Sequence, residues 1–389
     1  MESDTESEYE LPPGWTKSIN NGTIIYNNHI INISQLYSPL RDIKIHKSDV
    51  CYEKIRYNKS CGFRPPKERH KRFIQKFDSF STSEQVINTA NLSFKRALVI
   101  GGCSGIGLEI VSQLITKNCM IILGCPNLIK CDLELKSKLG NEIVTNFINI
   151  FQLDLRSFKS IFEFCNLILQ KFREIDLIVF SAGIMSPPFS VSEDGFETSF
   201  QVNVLSLFYI QEMLLSSLFS PHNGVKCRVV WLSCESHRAI KELNLCELNP
   251  SSQEYNGFYS YALSSLCKIL IVKYSKLKWD SIDCDRKPLF FVCHPGNVVY
   301  NTSITRYQPI LKFIFWFFSP FTKTLSQAAA TPILCCISNS FKSFSGCYFN
   351  NGCICDPTLL GQSKINGEML WNYLTTKINQ IKIVNQKLN

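Results

Sequence analysis

Beyond Phe94 the apolar residues fall into short continuous runs: KRALVI at 95–100, MIILGC at 120–125, IFQLDL at 150–155, DLIVFSAG at 176–183, RVVWLSC at 228–234 and PLFFVCHPG at 288–296. Between them lie longer stretches such as EIVSQLI at 109–115, where apolar positions recur every three or four residues. Continuous runs are the mark of strands buried on both faces, and the intervening spacing is the mark of amphipathic helices. Their alternation predicts a doubly wound α/β fold, a parallel sheet with helices on both faces. No fixed-period repeat and no low-complexity tract interrupts it.

The first ninety residues read differently. A turn at Asn20-Asn21-Gly22 precedes the strand-like TIIYNNH at 23–29, which suggests a small antiparallel β module over about 10–40. A basic connector follows at 41–90, and the α/β region occupies 91–389. Composition permits this plan: 389 residues, 45% of them hydrophobic, can bury a sizeable core.

The net charge of +9 suggests nucleic acid or a membrane surface until it is divided along the chain. Residues 1–10 carry five acids and no base, and residues 41–76 carry twelve bases against four acids. Residues 77–389, with 28 bases and 23 acids, are nearly balanced. The densest cluster, Lys67 to Arg72, is compatible with a solvated linker, a nuclear-import patch, or contact with nucleic acid or anionic lipid. With no zinc-ligand spacing and no base-stacking aromatics beside it, nucleic acid is not an expected partner.

Eighteen cysteines lie mostly within apolar runs, and no CxxC pair occurs. The acidic start lacks a signal peptide's basic and apolar segments, so a cytoplasmic setting, reduced thiols and no bound metal are expected. The apolar stretch Phe313 to Phe318 is far shorter than the roughly 20 residues of a membrane span.

Chemistry concentrates in the α/β region. Gly101-Gly102-Cys103-Ser104-Gly105-Ile106-Gly107 stands between a strand and a helix. Glycines at this spacing give a tight turn, admit a pyrophosphate close to the backbone, and let the helix start pack on the sheet. A tight turn without a ligand is the plainer alternative. Asp154-Leu155, Ser181-Ala182-Gly183 and Pro295-Gly296 each follow a strand, where the chain reaches the carboxyl edge of the sheet.

This set of motifs resembles the short-chain dehydrogenase/reductase family, over about 94–385. The resemblance implies a Rossmann-type fold and an NAD or NADP cofactor held by Gly101, Ser104, Gly105, Ile106 and Gly107. Asp154 and Leu155 would lie at the adenine, Ser181, Ala182 and Gly183 at the adenosine ribose side, and Pro295 and Gly296 at the nicotinamide. Ser181 departs from the family's asparagine, and Ile100 from its threonine. Gly124-Cys125-Pro126-Asn127 carries neither an acid for a ribose nor an arginine for a 2'-phosphate, so the choice of cofactor stays open.

By the same resemblance the catalytic positions are Asn203, Cys234 in place of serine, Tyr261, and Ser265 in place of lysine. A tyrosine of pKa about 10 is scarcely ionised at neutral pH. The family therefore sets a lysine one turn on, and here that position is a neutral hydroxyl. Ser233 stands beside Cys234. Lys268 is the nearest replacement cation, but at i+7 it sits about 10.5 Å along the helix, against about 6 Å for i+4. Cys234 with His237 offers a nucleophilic alternative.

The N-terminal segment, with LPPGW at 11–15, Trp15, Tyr26 and Pro39, resembles a WW domain. Ile25 and Leu36 occupy its aromatic clamp positions, whereas His29 is retained. Proline-peptide binding and a module that only folds are both open. Runs such as FETSFQVN, HPGNVVYNT and GCYFNNGCICDP resemble members that join a WW module to this dehydrogenase. That implies a lipophilic substrate of steroid or retinoid type, Pro-Pro-x-Tyr partners, and a cytoplasmic, nuclear or mitochondrial setting. Three functions follow as expectations: an active oxidoreductase, an impaired dinucleotide-binding scaffold, or a peptide-binding adaptor. The apolar run Phe313 to Phe321 falls where the family builds its substrate lid, or in ordinary core.

Overall fold

The structure, a computed structural model, describes residues 15–20, 23–28, 33–35, 77–218, 227–282, 287–296, 306–308 and 322–387. His29, Leu36, Pro39, the Lys67 to Arg72 cluster and the Phe313 to Phe321 run lie outside them. The chain divides into two compact units. In the N-terminal unit, β1 (Trp15–Asn20), β2 (Thr23–Asn28) and β3 (Ile33–Gln35) form an antiparallel sheet, with Asn20 paired to Thr23.

The larger unit opens with α1 (Ser83–Ile87), closed at its start by a reciprocal pair of bonds between Thr82 and Gln85. The expected strands follow: β4 (Arg96–Ile100), β5 (Met120–Cys125), β6 (Ile148–Gln152), β7 (Leu177–Phe180), β8 (Arg228–Leu232) and β9 (Leu289–His294). Neighbouring strands within this set are parallel. Leu98, Val99, Ile178, Val179, Val229 and Val230 are fully buried, as strands covered on both faces require.

Two short strands complete the sheet. β10 (Tyr348–Asn350) runs parallel to β9, and β11 (Cys353–Cys355) returns antiparallel to β10 through a turn in which Asn351 and Gly352 both have positive φ. At three residues each they are too short to show a hydrophobic period, so the pattern along the chain does not reveal them. The spatial order is β11-β10-β9-β8-β7-β4-β5-β6. Strand order reverses between β4 and β7, and that switch point opens the crevice in which such sheets bind ligands.

Helices cover both faces. The connecting helices are α2 (Gly105–Ile115), α3 (Leu128–Leu139), α4 (Asn141–Phe147) and α5 (Phe158–Lys171). A short α6 (Thr198–Phe200) leads through a π turn at Gln201–Leu205 into α7 (Ser206–Leu218). Next come α8 (Gly257–Asp280), α9 (Leu325–Ile337), α10 (Leu359–Gln362) and α11 (Lys364–Lys387). α1, α2 and α9 pack together on one side, and α5 packs on α7 and α8 on α11 on the other. α8 is buried on most of its circumference from Ala262 to Val272, because α11 covers the side that the sheet does not.

Thiol chemistry departs from the sequence expectation at one place. Cys103 and Cys131, 28 positions apart, form a disulfide that ties the glycine turn to α3, while thirteen other described cysteines are free. Their Cα atoms stand 5.8 Å apart because both elements emerge from adjacent strands, a proximity set by strand order.

The glycine turn gives the first prediction. A Cβ on Gly107 would lie 2.1 Å from the carbonyl oxygen of Gly101 and 2.6 Å from the Ser181 hydroxyl. Gly107→Ala should destabilise the domain by about 1–3 kcal/mol, seen as a lowered midpoint in urea unfolding. Ala at Gly140, where a Cβ would meet nothing within 4 Å but φ is +91° with ψ 150°, should cost backbone strain alone, about 1–3 kcal/mol.

Candidate functional site: a dinucleotide-type crevice with an altered catalytic wall

The crevice is a cavity of about 1470 Å³ at the carboxyl ends of the parallel strands. Its floor is the turn from β4 to α2. Gly101 has a φ of +89°, and a Cβ there would come within 2.6 Å of the Ala182 amide nitrogen. The turn thus lies flush against the segment leaving β7, and the first turn of α2 faces the cavity. Asp154 and Leu155 after β6, Ser181, Ala182 and Gly183 after β7, and Pro295 and Gly296 after β9 line the same space. The structure therefore brings the whole cofactor set proposed from sequence to one cavity. Ser181, where the family has asparagine, donates its hydroxyl to the carbonyl of Ile100 at 3.0 Å.

At one end, Asp154 is paired with Arg156 through two side-chain bonds of 3.0 and 2.7 Å. The guanidinium bond holds the Asp154 carboxyl below its usual range. Arg156 lines the cavity and was not singled out from sequence, since a lone arginine after a strand carries no motif. Nearby, the sulfurs of Cys103, Cys125 and Cys131 lie within 4.8 Å of one another, with the first and last joined as the disulfide. The Asn127 side chain caps α3 by accepting from the Lys130 amide at 2.9 Å.

The catalytic wall comes from β8, β9 and α8. Asn203 is fully buried in the π turn before α7, a distortion often found at functional sites. Its side chain accepts from the Ile184 amide at 2.8 Å, donates to the Ile184 carbonyl at 2.9 Å, and donates to the Ser264 hydroxyl at 3.3 Å. Asn203 thus clamps the chain after Gly183 from behind the cavity wall.

Ser233 and Cys234 part company at the end of β8. The Ser233 hydroxyl donates to the Ser265 carbonyl at 2.8 Å, so it is spent on α8. The Cys234 sulfur instead lies beside Tyr261 and His294 on the cavity wall, with the Ser236 amide donating to it at 3.5 Å. Burial opposes ionisation of Cys234, but its interactions with His294 and Ser236 outweigh it and bring the thiol down to about 6. Burial pushes Tyr261 well above 10, and the neighbouring Cys234 adds to the shift.

Ser265 does not enter the cavity. Its hydroxyl donates back to the Tyr261 carbonyl at 2.9 Å and accepts from the Ser236 hydroxyl at 3.4 Å. Lys268 does reach the cavity. Its Nζ lies 3.7 Å from the point where a Gly183 Cβ would stand, and the Asn203 Oδ1 lies 3.4 Å from that point. Burial lowers the Lys268 ammonium to about 8, offset in part by Cys234 and Cys267. The cation near the site is therefore coupled to the Cys234 sulfur.

His237 is not the partner of the Cys234 thiol. Its Nδ1 lies 2.8 Å from the Cys234 carbonyl, its ring packs against Tyr348, and burial lowers it to about 4. The histidine that meets the thiol is His294, the last residue of β9 and only 3% exposed. Its place directly before Pro295-Gly296 was a sequence signal that composition alone did not single out.

A short chain dehydrogenase family model matches residues 95–236. The WW domain-containing oxidoreductase of Drosophila melanogaster is 30% identical over 399 residues, covering 95% of this chain and 95% of that protein. Retinol dehydrogenase 11 of Mus musculus is 28% identical over 290 residues, covering 73% of this chain and 86% of its own. A short chain dehydrogenase of Shigella flexneri 2a, solved in complex with NADP, has a TM-score of 0.50 at 16% identity, covering 67% of this chain and 98% of that one. A relative of 30% identity thus spans nearly the whole length of the chain, including every segment that the fold gathers around this cavity. The chain accordingly belongs to the short-chain dehydrogenase/reductase family and, within it, to the WW domain-containing oxidoreductases.

Proposed function

We propose that the chain is an NAD(P)-dependent oxidoreductase acting on a lipophilic carbonyl or alcohol, with Tyr261 as the proton donor and with turnover weakened at the catalytic wall. The observation that carries this reading is the single cavity shared by the glycine turn, Gly183, Pro295, Tyr261 and Cys234. The full-length likeness to WW domain-containing oxidoreductases and the likeness to a retinol dehydrogenase support the substrate class.

The cradle fits a dinucleotide. Side chains are excluded at Gly101 and Gly107, which leaves the amides at the start of α2 open to a pyrophosphate. Pro295 and Gly296 would flank the nicotinamide, which supplies a hydride acceptor or donor when bound. Both cofactors remain compatible, because Gly124 to Asn127 carries no charged side chain.

The chain's own groups then set the direction of proton transfer. Tyr261 retains its proton beyond neutral pH, so it donates to a carbonyl oxygen in reduction and is a poor base for alcohol oxidation. The hydroxyl of Ser265 faces backbone and cannot stabilise a phenolate. Loss of such assistance typically costs about 100- to 10,000-fold in rate. That magnitude separates the active enzyme from the impaired dinucleotide-binding scaffold, and the raised Tyr261 specifically favours the latter in the oxidative direction.

Thermal-shift titration with NADH and NADPH, followed by assays on retinal and ketosteroids, tests the proposal. Stabilisation by a dinucleotide, with slow reduction abolished by Tyr261→Phe, is the expected result. Failure to bind either cofactor would defeat the proposal, and reduction undiminished in Tyr261→Phe would remove that residue from its role. Ser265→Lys, which restores an ammonium at i+4 from Tyr261, should raise kcat at pH 7 by at least about tenfold provided its melting temperature holds. An unchanged kcat in a stable variant would show that the missing lysine is not what limits turnover.

A further inference from the structure

The family's serine is a neutral hydrogen-bond donor. Its replacement here is ionisable, and its surroundings are built for the ion. Cys234 stands on the cavity wall between the Tyr261 hydroxyl and His294. Behind His294, with its side chain 4% exposed, Nδ1 lies 4.0 Å from Glu235 Oε2 and has no hydrogen-bond partner among the described residues. Glu235 is itself fixed by Tyr348, whose hydroxyl donates to it at 2.8 Å, and by Arg238. The Lys268 ammonium adds positive charge from α8. Sulfur, imidazole and carboxylate thus lie in sequence, with a proton-holding phenol beside the sulfur.

We propose that Cys234 is a nucleophilic thiolate that captures α,β-unsaturated carbonyl compounds covalently in this cavity. The carbonyl class rests on the function proposed above, whereas the thiolate does not require a bound dinucleotide. In the step, the sulfur forms a bond to the β-carbon and the Cα=Cβ π bond breaks. The electron pair moves to the carbonyl oxygen as an enolate hydrogen-bonded by Tyr261. Protonation at the α-carbon by water completes an addition in which nothing is oxidised or reduced. Acyl transfer from an ester is less well served, because it needs a histidine held for repeated proton transfer and the Glu235 carboxylate stands outside hydrogen-bond reach of Nδ1.

The groups beside the sulfur are His294 at the end of β9, Tyr261 and Lys268 on α8, and Tyr348 on β10. Glu235, His237 and Arg238 after β8 surround His294 and reach the sulfur only through it. With the thiol at about 6, reaction should rise through mildly acid pH. A low pKa also lowers intrinsic nucleophilicity, by about tenfold for a fall of 2.5 units. The net advantage over a model cysteine peptide is then only a few-fold at pH 7 and about tenfold at pH 6.

The test treats the full chain, without nucleotide, with trans-2-nonenal and follows each cysteine by peptide-resolved mass spectrometry. Exposed Cys246 and a model cysteine peptide serve as references. An adduct on Cys234 forming about tenfold faster than on the peptide at pH 6, absent in Cys234→Ser, is the expected result. His294→Asn should move the midpoint of that rate upward, which a merely packed thiol would not show. An unmodified Cys234 beside a modified Cys246, or a Cys234 rate that rises only near pH 8.5, overturns the proposal. Thermal shift with NADPH is read separately, so loss of dinucleotide binding would strike the oxidoreductase reading and leave the adduct result standing.

Discussion

The carbonyl of Ile100 receives three hydrogen bonds from the chain leaving β7: the amides of Ser181 and Ala182 at 2.9 Å each, and the Ser181 hydroxyl at 3.0 Å. These bonds fasten β4 to β7 at the point where strand order reverses. They also draw the Ala182 backbone so close to the turn after β4 that only hydrogen fits on the inner side of Gly101 and Gly107. Everything that makes the crevice a ligand site follows from that closeness. The floor is bare backbone, the start of α2 faces inward, and the Ser181 to Gly183 segment becomes a wall. The serine that stands in place of the family's asparagine supplies one of these three bonds, so that departure is built into the floor.

On the opposite wall the chain has exchanged one kind of acid–base system for another. A lysine at 265 would have lent charge to Tyr261. The residue there is a serine folded back on its own helix, and Lys268 further along it interacts with Cys234. Burial and the neighbouring sulfur raise Tyr261, whereas the surroundings of Cys234 lower its thiol to about 6. The two substitutions reinforce each other. Sulfur beside the phenol discourages its ionisation, and no cation stands one turn on at 265 to oppose that effect. The arrangement suits proton donation to a carbonyl better than proton abstraction from an alcohol.

Much of the frame was legible along the chain. Six apolar runs became β4 to β9 because a strand buried on both faces must be apolar throughout, and helical spacing between them supplied the covering layers. β10 and β11 escaped notice because three residues make no period, and their place is secured by pairing with β9 and by a turn of two positive-φ residues. The glycine spacing located the floor of the crevice. It gave no hint that Cys103 would meet Cys131, because that contact depends on which strands are neighbours.

Residue types at Tyr261, Cys234 and Ser265 told from sequence alone that the usual acid–base help was altered, and the seven-residue step from Tyr261 made Lys268 a doubtful substitute. From sequence, resemblance placed Cys234 at the serine position with Ser233 beside it and offered His237 as the thiol's partner, whereas the structure sets His294 beside the sulfur. Adjacent residues on a strand end point opposite ways, and His294 comes from a strand sixty positions further on in the chain. Local pattern therefore determined the layers, the glycine floor and the identity of the altered positions. Only the tertiary structure decided which hydroxyl is consumed by backbone, which histidine meets the sulfur and where the Lys268 charge is felt, because those outcomes depend on distances between β8, β9 and α8 that no local pattern encodes.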